Sequence, residues 1–172
     1  MAGNRWKRKH RQKMKKNVLI IGAGGVAQVV AHKCAQNSDI LGDIHIASRT
    51  VEKCRKIIDS VHEKKSLKTE VKLEAHALDA LDIEATKALI QKTGVQIVIN
   101  VGSAFLNMSV LRACIDTGVA YMDTAIHEDP KKICETPPWY GNYEWKNLQE
   151  CEEKGITAIL GIGFDPGVVN AY

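Results

Sequence analysis

The glycine-rich run at residues 22–27 constrains the fold of this chain more than any other feature of the sequence. It reads GAGGVA, matches the pattern G-x-G-x-x-A, and directly follows a short apolar run at residues 17–21. A segment with helical periodicity, residues 25–36, begins inside it. A strand, a glycine turn and a helix in this order are typical of the first unit of a dinucleotide-binding α/β fold. The sequence therefore predicts a Rossmann-type, doubly wound parallel sheet.

Each small residue of this run has a physical task if a dinucleotide binds there. Gly22 permits a tight turn, Gly24 lets a pyrophosphate approach the backbone, and Ala27 lets the helix pack close to the strand. The backbone amides of Gly25 and Val26 lie at the positive end of the helix, where they can hold phosphates. The alternative is a glycine-rich turn that binds nothing, and the flanking strand and helix favour the cofactor site.

Strand and helix patterns alternate along the rest of the chain. Apolar or alternating runs predict further strands at residues 44–47, 71–75, 95–101, 119–122 and 156–160. Helical periodicity predicts helices at residues 51–61, 83–92 and 107–117. In the first helix, Val26, Val30 and Cys34 are expected on one apolar stripe. This alternation indicates βαβ units, with ligands at the carboxyl ends of the strands.

The end of the second predicted strand indicates which dinucleotide binds. An NAD enzyme usually places an acid there, whereas this chain has Ser48, Arg49 and Thr50. Arg49 can pair with the 2′-phosphate of NADP, and the two hydroxyls can donate hydrogen bonds to it. The alternative is a surface arginine beside a threonine that only caps the next helix. The sequence favours NADP as the cofactor.

Two later loops complete the predicted cofactor site. Asp79 follows the third strand, near the place where an adenine edge would lie, and Asp82 lies there too or caps the next helix. Val101 and Gly102 follow the fourth strand, where a small residue lets the backbone approach the nicotinamide half of the cofactor. The alternative for this second loop is a plain strand-to-helix connection.

Charge separates the amino-terminal tail from the rest of the chain. Residues 1–16 carry eight basic side chains and no acid, which leaves 16 basic against 20 acidic residues in the remainder. Residues 1–14 are therefore predicted to be a disordered basic tail. Nucleic-acid binding through residues 5–16 is the alternative reading of these charges. No recognition motif supports it, and no nucleic-acid partner is expected.

Other features bound the compartment and the chemistry. No apolar run reaches the roughly 18 residues of a membrane span. The first residues are polar and basic, so we expect no secretory signal and a cytoplasmic protein without membrane contact. The five cysteines include no C-x-x-C pair, and the six histidines are scattered. We therefore expect neither disulfides nor a metal site. Three cysteines, Cys34, Cys54 and Cys114, are expected in the core.

Several stretches together resemble the saccharopine dehydrogenase family. They are the glycine-rich opening, YMDT at residues 121–124 and GIGFDPG at residues 161–167. Two further stretches are more particular to one branch of that family: PWYGNYEW at residues 138–145 and PGVVNAY at residues 166–172. The resemblance extends from about Lys15 to the last residue, and it implies an NADP-dependent oxidoreductase that acts on CH–NH bonds.

The resemblance further implies a reductive condensation in polyamine biosynthesis. L-Aspartate β-semialdehyde and a diamine, either 1,3-diaminopropane or putrescine, form an imine, and NADPH reduces it to carboxynorspermidine or carboxyspermidine. Acidic and aromatic groups suit a cationic diamine, so Asp123, Asp165 and Tyr143 are expected at the substrate, with Trp139 and Tyr140 also able to line the pocket. The alternatives are that Asp123 caps a turn, that Asp165 caps the helix beginning near Pro166, and that the aromatic side chains only take part in hydrophobic packing. No catalytic residue is assigned.

Family members are longer and form, we expect, homodimers at full length. Residues 15–126 are predicted to be the NADP-binding domain, and residues 127–172 an excursion leading toward a substrate domain that this chain lacks. The sheet is then incomplete, and little reductase activity is expected from the chain alone. Two alternatives stay open: another oxidoreductase of the same family with a different amine, and a non-catalytic dinucleotide-binding module.

Overall fold

The computed structural model describes residues 15–132 and 141–171, in which six strands form one parallel sheet. The strands are β1 (Lys16–Ile21), β2 (Leu41–Ser48), β3 (Leu73–Ala77), β4 (Ile97–Asn100), β5 (Ala120–Asp123) and β6 (Ala158–Ile159). The helices are α1 (Gly25–Gln36), α2 (Val51–Glu63), α3 (Ile83–Thr93), α4 (Asn107–Thr117), α5 (Asn142–Trp145) and α6 (Leu148–Lys154). Short 3₁₀ helices occupy Ala104–Leu106 and Val168–Ala171.

The strand order β3-β2-β1-β4-β5-β6 confirms the predicted doubly wound sheet. The chain winds outward from β1 to β3, returns to the other side of β1, and winds outward again to β6. The connections after β1 and β4 therefore leave the sheet on opposite faces. A crevice opens between them at the carboxyl ends of these strands, and such switch points are where doubly wound sheets bind their ligands.

Alternating side chains of β1 enter two separate hydrophobic layers. Val18 and Ile20 pack with buried residues of α1 and α2, whereas Leu19 and Ile21 pack with those of α3 and α4. All four are at most 2% exposed. A strand covered on both faces reads as a continuous apolar run, which is why residues 17–21 carry such a clear strand signal.

The buried face of α1 differs from the predicted stripe. Small side chains, Ala27, Ala31 and Ala35, are buried together with Cys34, while Val26 is 56% exposed. Small residues let α1 approach β1 closely, so the helix turns its alanines inward and leaves Val26 at the open crevice. The prediction that cysteines lie in the core is confirmed, because Cys34, Cys54 and Cys114 are buried free thiols.

Two helix ends follow the sequence closely, whereas the last part of the chain does not. Gly94 and Gly118 end α3 and α4 in the left-handed conformation, with φ of 61° and 70°. The helices α5 and α6 carried no sequence prediction, because four and seven residues are too short for periodicity to show. β6 is two residues long instead of five, and β3 begins two residues later than predicted.

Some sequence predictions fall outside the described residues, namely the basic tail at residues 1–14 and the aromatic residues Trp139 and Tyr140. Within the described ranges, none of the helices has both the length and the apolar character needed to cross a bilayer.

Candidate functional site

The turn after β1 is built around Gly22, which only glycine can occupy without strain. Its φ is +121°, and a Cβ at this position would lie 3.0 Å from the Val101 carbonyl oxygen. Its amide donates to the Ala47 carbonyl at 2.9 Å. The turn is therefore held between the loops that follow β2 and β4, at the switch point of the sheet.

Gly24 and Gly25 face open space at the start of α1. A Cβ on either glycine would meet no atom within 4 Å. Gly24 is the N-cap residue and provides no side-chain cap, and the first turn of the helix holds no acid. The amides of Gly25, Val26 and Ala27 therefore have no intrahelical partner. Unpaired amides at a helix amino terminus form a ready site for a diphosphate.

The corner after β2 presents Arg49 to solvent. Ser48 Oγ donates to the Thr50 carbonyl at 2.9 Å and accepts the Thr50 amide at 3.2 Å. Thr50 begins α2 without a side-chain cap, and Arg49 forms no ion pair with any described residue. The guanidinium is thus available to a 2′-phosphate. Ser48 was expected to donate its hydroxyl hydrogen to that phosphate. In the structure this hydrogen is donated to the Thr50 carbonyl and stabilises the corner after β2.

The loop after β3 lies beside this corner. The Leu78 amide donates to the Ser48 carbonyl at 3.0 Å, which places exposed Asp79 close to the Arg49 corner. Asp79 Oδ1 accepts the Leu81 amide at 3.1 Å and so shapes its own turn. Of the two possibilities for Asp82, the structure shows the helix cap, since its Oδ1 accepts the Ala85 amide at 2.9 Å.

The loop after β4 lies opposite the glycine turn. Val101 donates its amide to the Ile21 carbonyl at 2.9 Å, and Gly102 is exposed beside it. The Gly102 amide donates to Asn100 Oδ1 at 3.1 Å, and Asn100 Nδ2 donates to Asn107 Oδ1 at 2.9 Å. These buried amide side chains fix the loop, so its backbone forms the second wall of the crevice.

Asp123, one of the predicted substrate residues, is fully buried at the end of β5. One carboxylate oxygen accepts the Tyr121 hydroxyl at 2.8 Å and the other accepts the Gly161 amide at 2.6 Å. Burial raises the pKa of Asp123 to about 6, although both hydrogen bonds oppose the shift. The carboxylate therefore ties β5 to the segment after β6, and both of its oxygens are already engaged, unlike those of an open substrate ligand.

No hydrogen bond joins Tyr143 or Asp165 to Asp123 within the described residues. The ring of Tyr143 is half-buried, stands edge-on to His127 at 5.0 Å, and has Lys146 Nζ at 5.6 Å from its centroid. Asp165 is exposed. The three predicted substrate residues belong to different elements: Asp123 ends β5, Tyr143 lies in α5, and Asp165 lies in the loop after β6.

Glu144 is a site residue that the sequence analysis missed. Glu144 is only 3% exposed, and its Oε1 accepts a hydrogen bond from the His127 amide at 2.5 Å. Its Oε2 is buried and has no hydrogen-bond partner among the described residues. Its charge also contributes to the raised pKa of Asp123. A signal was present, because Glu144 is the acid inside the aromatic stretch at residues 138–145.

Glu144 lines an open cavity of about 1030 Å³ at the β6 side of the sheet. Most of the lining is apolar and includes Ile126, Leu148, Ile159 and Pro166. A buried carboxylate oxygen without a partner is costly in such surroundings unless a cationic group reaches it. The cavity can therefore accept an elongated molecule that has an apolar body and a positive charge.

The switch-point crevice, the open amides of α1 and the free guanidinium after β2 define a dinucleotide-binding domain of the oxidoreductase class. A family model described as "Saccharopine dehydrogenase NADP binding domain" matches residues 18–159. The chain belongs to this family, and its cofactor is NADP.

Relatives of established name support this assignment. The chain is 49% identical over 156 residues to carboxynorspermidine synthase from Vibrio alginolyticus, an alignment that covers 90% of the chain and 38% of the relative. It is 37% identical over 155 residues to carboxyaminopropylagmatine dehydrogenase from Synechocystis sp., with 90% of the chain and 36% of the relative covered. The chain thus spans less than two fifths of the length of these relatives.

A solved structure shows the same fold. Apo saccharopine dehydrogenase (L-Glu forming) from Saccharomyces cerevisiae superposes with a TM-score of 0.64 at 22% identity. The superposition covers 88% of this chain and 28% of the yeast chain. At this level of identity the likeness establishes the architecture of the sheet.

Proposed function

We propose that this chain provides the NADP-binding part of an enzyme that condenses L-aspartate β-semialdehyde with a diamine. The diamine is 1,3-diaminopropane or putrescine, and reduction of the resulting imine gives carboxynorspermidine or carboxyspermidine for polyamine biosynthesis. The observation that carries this proposal is the 49% identity to carboxynorspermidine synthase over 90% of the chain. The reduction converts the C=N bond of the imine into a CH–NH bond, and NADPH supplies the hydride when bound.

The residues of the crevice bind and orient the cofactor in this proposal. The amides of Gly25 and Val26, left open by Gly22 and Gly24, hold the diphosphate. Arg49 pairs with the 2′-phosphate, and Asp79 lies at the adenosine end. On the opposite wall, the loop of Val101 and Gly102 positions the nicotinamide half of the cofactor.

The cavity at β6 is the proposed place for the diamine. A diamine combines an apolar methylene chain with positive ends, which matches an apolar cavity that contains one buried acid. In this proposal Glu144 Oε2 accepts one ammonium group, and Tyr143 of α5 and Asp165 of the loop after β6 contact the rest of the substrate. Both oxygens of Asp123 already accept hydrogen bonds, so its proposed contribution is the attraction of its negative charge for the cationic diamine.

The domain boundaries form part of the proposal. Residues 15–126 act as the NADP-binding domain, and residues 127–172 lead toward a substrate domain of the kind that the longer relatives have room for. Much of the substrate site and a homodimer surface would belong to that domain, in a cytoplasmic enzyme. We therefore expect NADPH binding and weak diamine binding from this chain, with little turnover.

Calorimetric titration of the NADPH-saturated chain tests the proposed diamine site. Putrescine and 1,3-diaminopropane are expected to bind, and Glu144→Gln should weaken binding about tenfold because it removes one charge-assisted hydrogen bond. Glu63→Gln, at the exposed end of α2, is the matched control and should leave the affinity unchanged.

A panel of other amines and semialdehydes, followed by oxidation of NADPH, separates the proposal from its alternatives. Preference for another amine would replace the proposed substrate with a different one from the same family. NADPH binding with no response to any amine would indicate a non-catalytic dinucleotide-binding module. Turnover comparable to that of a full-length relative would contradict the expected dependence on a further domain.

A further inference from the structure

Three side chains with metal-binding atoms lie together on β2 and β3, outside the nucleotide crevice. His45 is paired in register with Glu74, and Ala47 with His76. Because side chains alternate along a strand, Glu74 and His76 project from the same face of the sheet as His45. His45 is buried, Glu74 is about half exposed, and His76 lies between these extremes.

The ligand atoms of these side chains are arranged as a metal centre requires. His45 Nδ1 lies 3.0 Å from His76 Nε2 and 3.6 Å from Glu74 Oε2, and His76 Nε2 lies 3.8 Å from the same oxygen. In a tetrahedral zinc site, bonds of about 2.0–2.1 Å place neighbouring ligand atoms roughly 3.3 Å apart. The three observed distances lie on either side of that value.

Both imidazoles are suited to act as neutral ligands. Burial lowers the pKa of His45, against the opposing charges of Glu74 and Asp43. Burial also lowers the pKa of His76, and the charges of His45 and Lys92 add to the effect while Glu74 opposes it. A metal binds the neutral form of an imidazole, which keeps a lone pair on one ring nitrogen.

We propose that His45, Glu74 and His76 bind one divalent transition-metal ion, with Zn²⁺ the best match. Two imidazole nitrogens and one carboxylate oxygen favour Zn²⁺, Co²⁺ or Ni²⁺ over Mg²⁺ and Ca²⁺, which prefer oxygen ligands throughout. Three protein ligands leave the fourth tetrahedral position to a water molecule.

The role of this site is to crosslink β2 and β3 at the edge of the sheet. Among the described residues, β3 is an edge strand that pairs only with β2. These two strands carry the Arg49 corner and the Asp79 loop at their carboxyl ends. A metal that joins His45 to Glu74 and His76 therefore stabilises the adenosine end of the crevice without touching the cofactor.

Metal titration of the full chain, after treatment with a chelator, tests the proposal. We expect one Zn²⁺ per chain by calorimetry, and a visible absorption spectrum of tetrahedral type with Co²⁺. Metal that binds only the folded chain raises the folding equilibrium constant about 100-fold at 100 times its Kd. Thermal unfolding should therefore move to higher temperature with added ZnCl₂.

Variants distinguish this site from adventitious binding. His76→Gln and Glu74→Gln lie at the accessible edge strand, retain hydrogen-bonding groups and should fold, while weakening Zn²⁺ binding at least tenfold. His45→Gln should abolish it. His62→Gln, an exposed histidine on α2, is the control and should bind Zn²⁺ like the parent. Absence of Zn²⁺ binding, or binding that is unchanged in His76→Gln or lost after cysteine alkylation alone, would overturn the proposal.

Discussion

The loops after β1 and β2 differ from the segment after β5 in where their polar groups lie. The first leave their amides and the Arg49 guanidinium open to solvent. The region from the end of β5 to α5 buries its acidic side chains, since Asp123 and Glu144 are at most 3% exposed. Open groups suit a ligand that brings several negative charges, whereas buried acids suit a small cation that must leave water.

The same contrast appears in how the two regions are held. The nucleotide loops are fixed by backbone contacts between adjacent strands, such as Gly22 to Ala47 and Val101 to Ile21. The segment after β5 is fixed by carboxylates that reach across the chain, Asp123 to Gly161 and Glu144 to His127. The first region is thus held by backbone hydrogen bonds together with the neutral side chains of Ser48 and Asn100, whereas the second depends on carboxylates.

Gly24→Val tests the first half of this comparison and carries the largest expected effect. A side chain at Gly24 enters the open crevice, so the Kd for NADPH should rise at least about 100-fold. The free energy of unfolding should change by less than about 1 kcal/mol, because φ is −93° and nothing lies near a Cβ. Fluorescence titration and denaturant unfolding measure the two quantities.

Gly118→Ala provides the opposite pattern. Its φ of 70° makes a side chain unfavourable, so the variant should lose about 1 kcal/mol of stability. Its affinity for NADPH should match that of the parent, because Gly118 ends α4 away from the crevice. An unchanged NADPH affinity in Gly24→Val would contradict the proposal that the glycine turn binds the cofactor.

Arg49→Ala sharpens the comparison at the phosphate end of the crevice. Loss of a charge-assisted contact should raise the Kd for NADPH roughly 10- to 100-fold. The Kd for NADH, which lacks the 2′-phosphate, should stay within about twofold of the parent. The matched control is Arg55→Ala on α2, an exposed arginine paired with Glu52. Equal losses for the two dinucleotides would contradict the assigned role of Arg49.

Asp123→Asn tests whether the second region depends on charge. The pKa of Asp123 is about 6 in the folded chain, above its unfolded value near 4. Its contribution to stability is therefore fully present below about pH 4 and is lost as the pH rises through 6. Asparagine cannot ionise, so the variant does not lose this contribution. The difference in free energy of unfolding between the variant and the parent should therefore shift in favour of the variant by about 2 kcal/mol between pH 4 and pH 7. A pH-independent difference in denaturant unfolding would contradict this.

Arg112→Ala carries the smallest expected effect. The guanidinium joins α4 to α6 through Glu150 at 2.6 Å and 2.7 Å, and it also pairs with Asp116. These groups are partly exposed, so solvent screens them and the melting temperature should fall by only about a few degrees. Proteolysis within residues 141–154 should become faster. A large loss of NADPH affinity would show that the two regions are more strongly coupled than their contacts indicate.

Several parts of the fold could be predicted because their causes are local. The glycine turn, the close packing of Ala27 and the ends of α3 and α4 depend on residues adjacent in sequence. The prediction that Val26 lies on the buried stripe of α1 was wrong for a related reason, since Val26 is exposed. Periodicity finds a stripe of apolar residues, but it does not show that close contact with β1 favours the smaller ones.

The candidate site in the second region could not be predicted in this way. Glu144 lies in a short helix, and its partner His127 and its neighbours across the cavity come from distant parts of the chain. Asp123 was correctly placed at the end of a strand, but its role depends on the amide of Gly161, 38 residues later. Neither contact leaves a pattern in the sequence.

The sequence by itself determined the doubly wound sheet and its switch point, because these follow from periodicity and glycine geometry, and one cation after a strand favoured NADP. Only the tertiary structure decided which acids are buried and which histidines meet. His45 and His76 are 31 residues apart and come together through strand register. Burial and ligand geometry are properties of the folded chain, since they arise when distant segments exclude water from the same space.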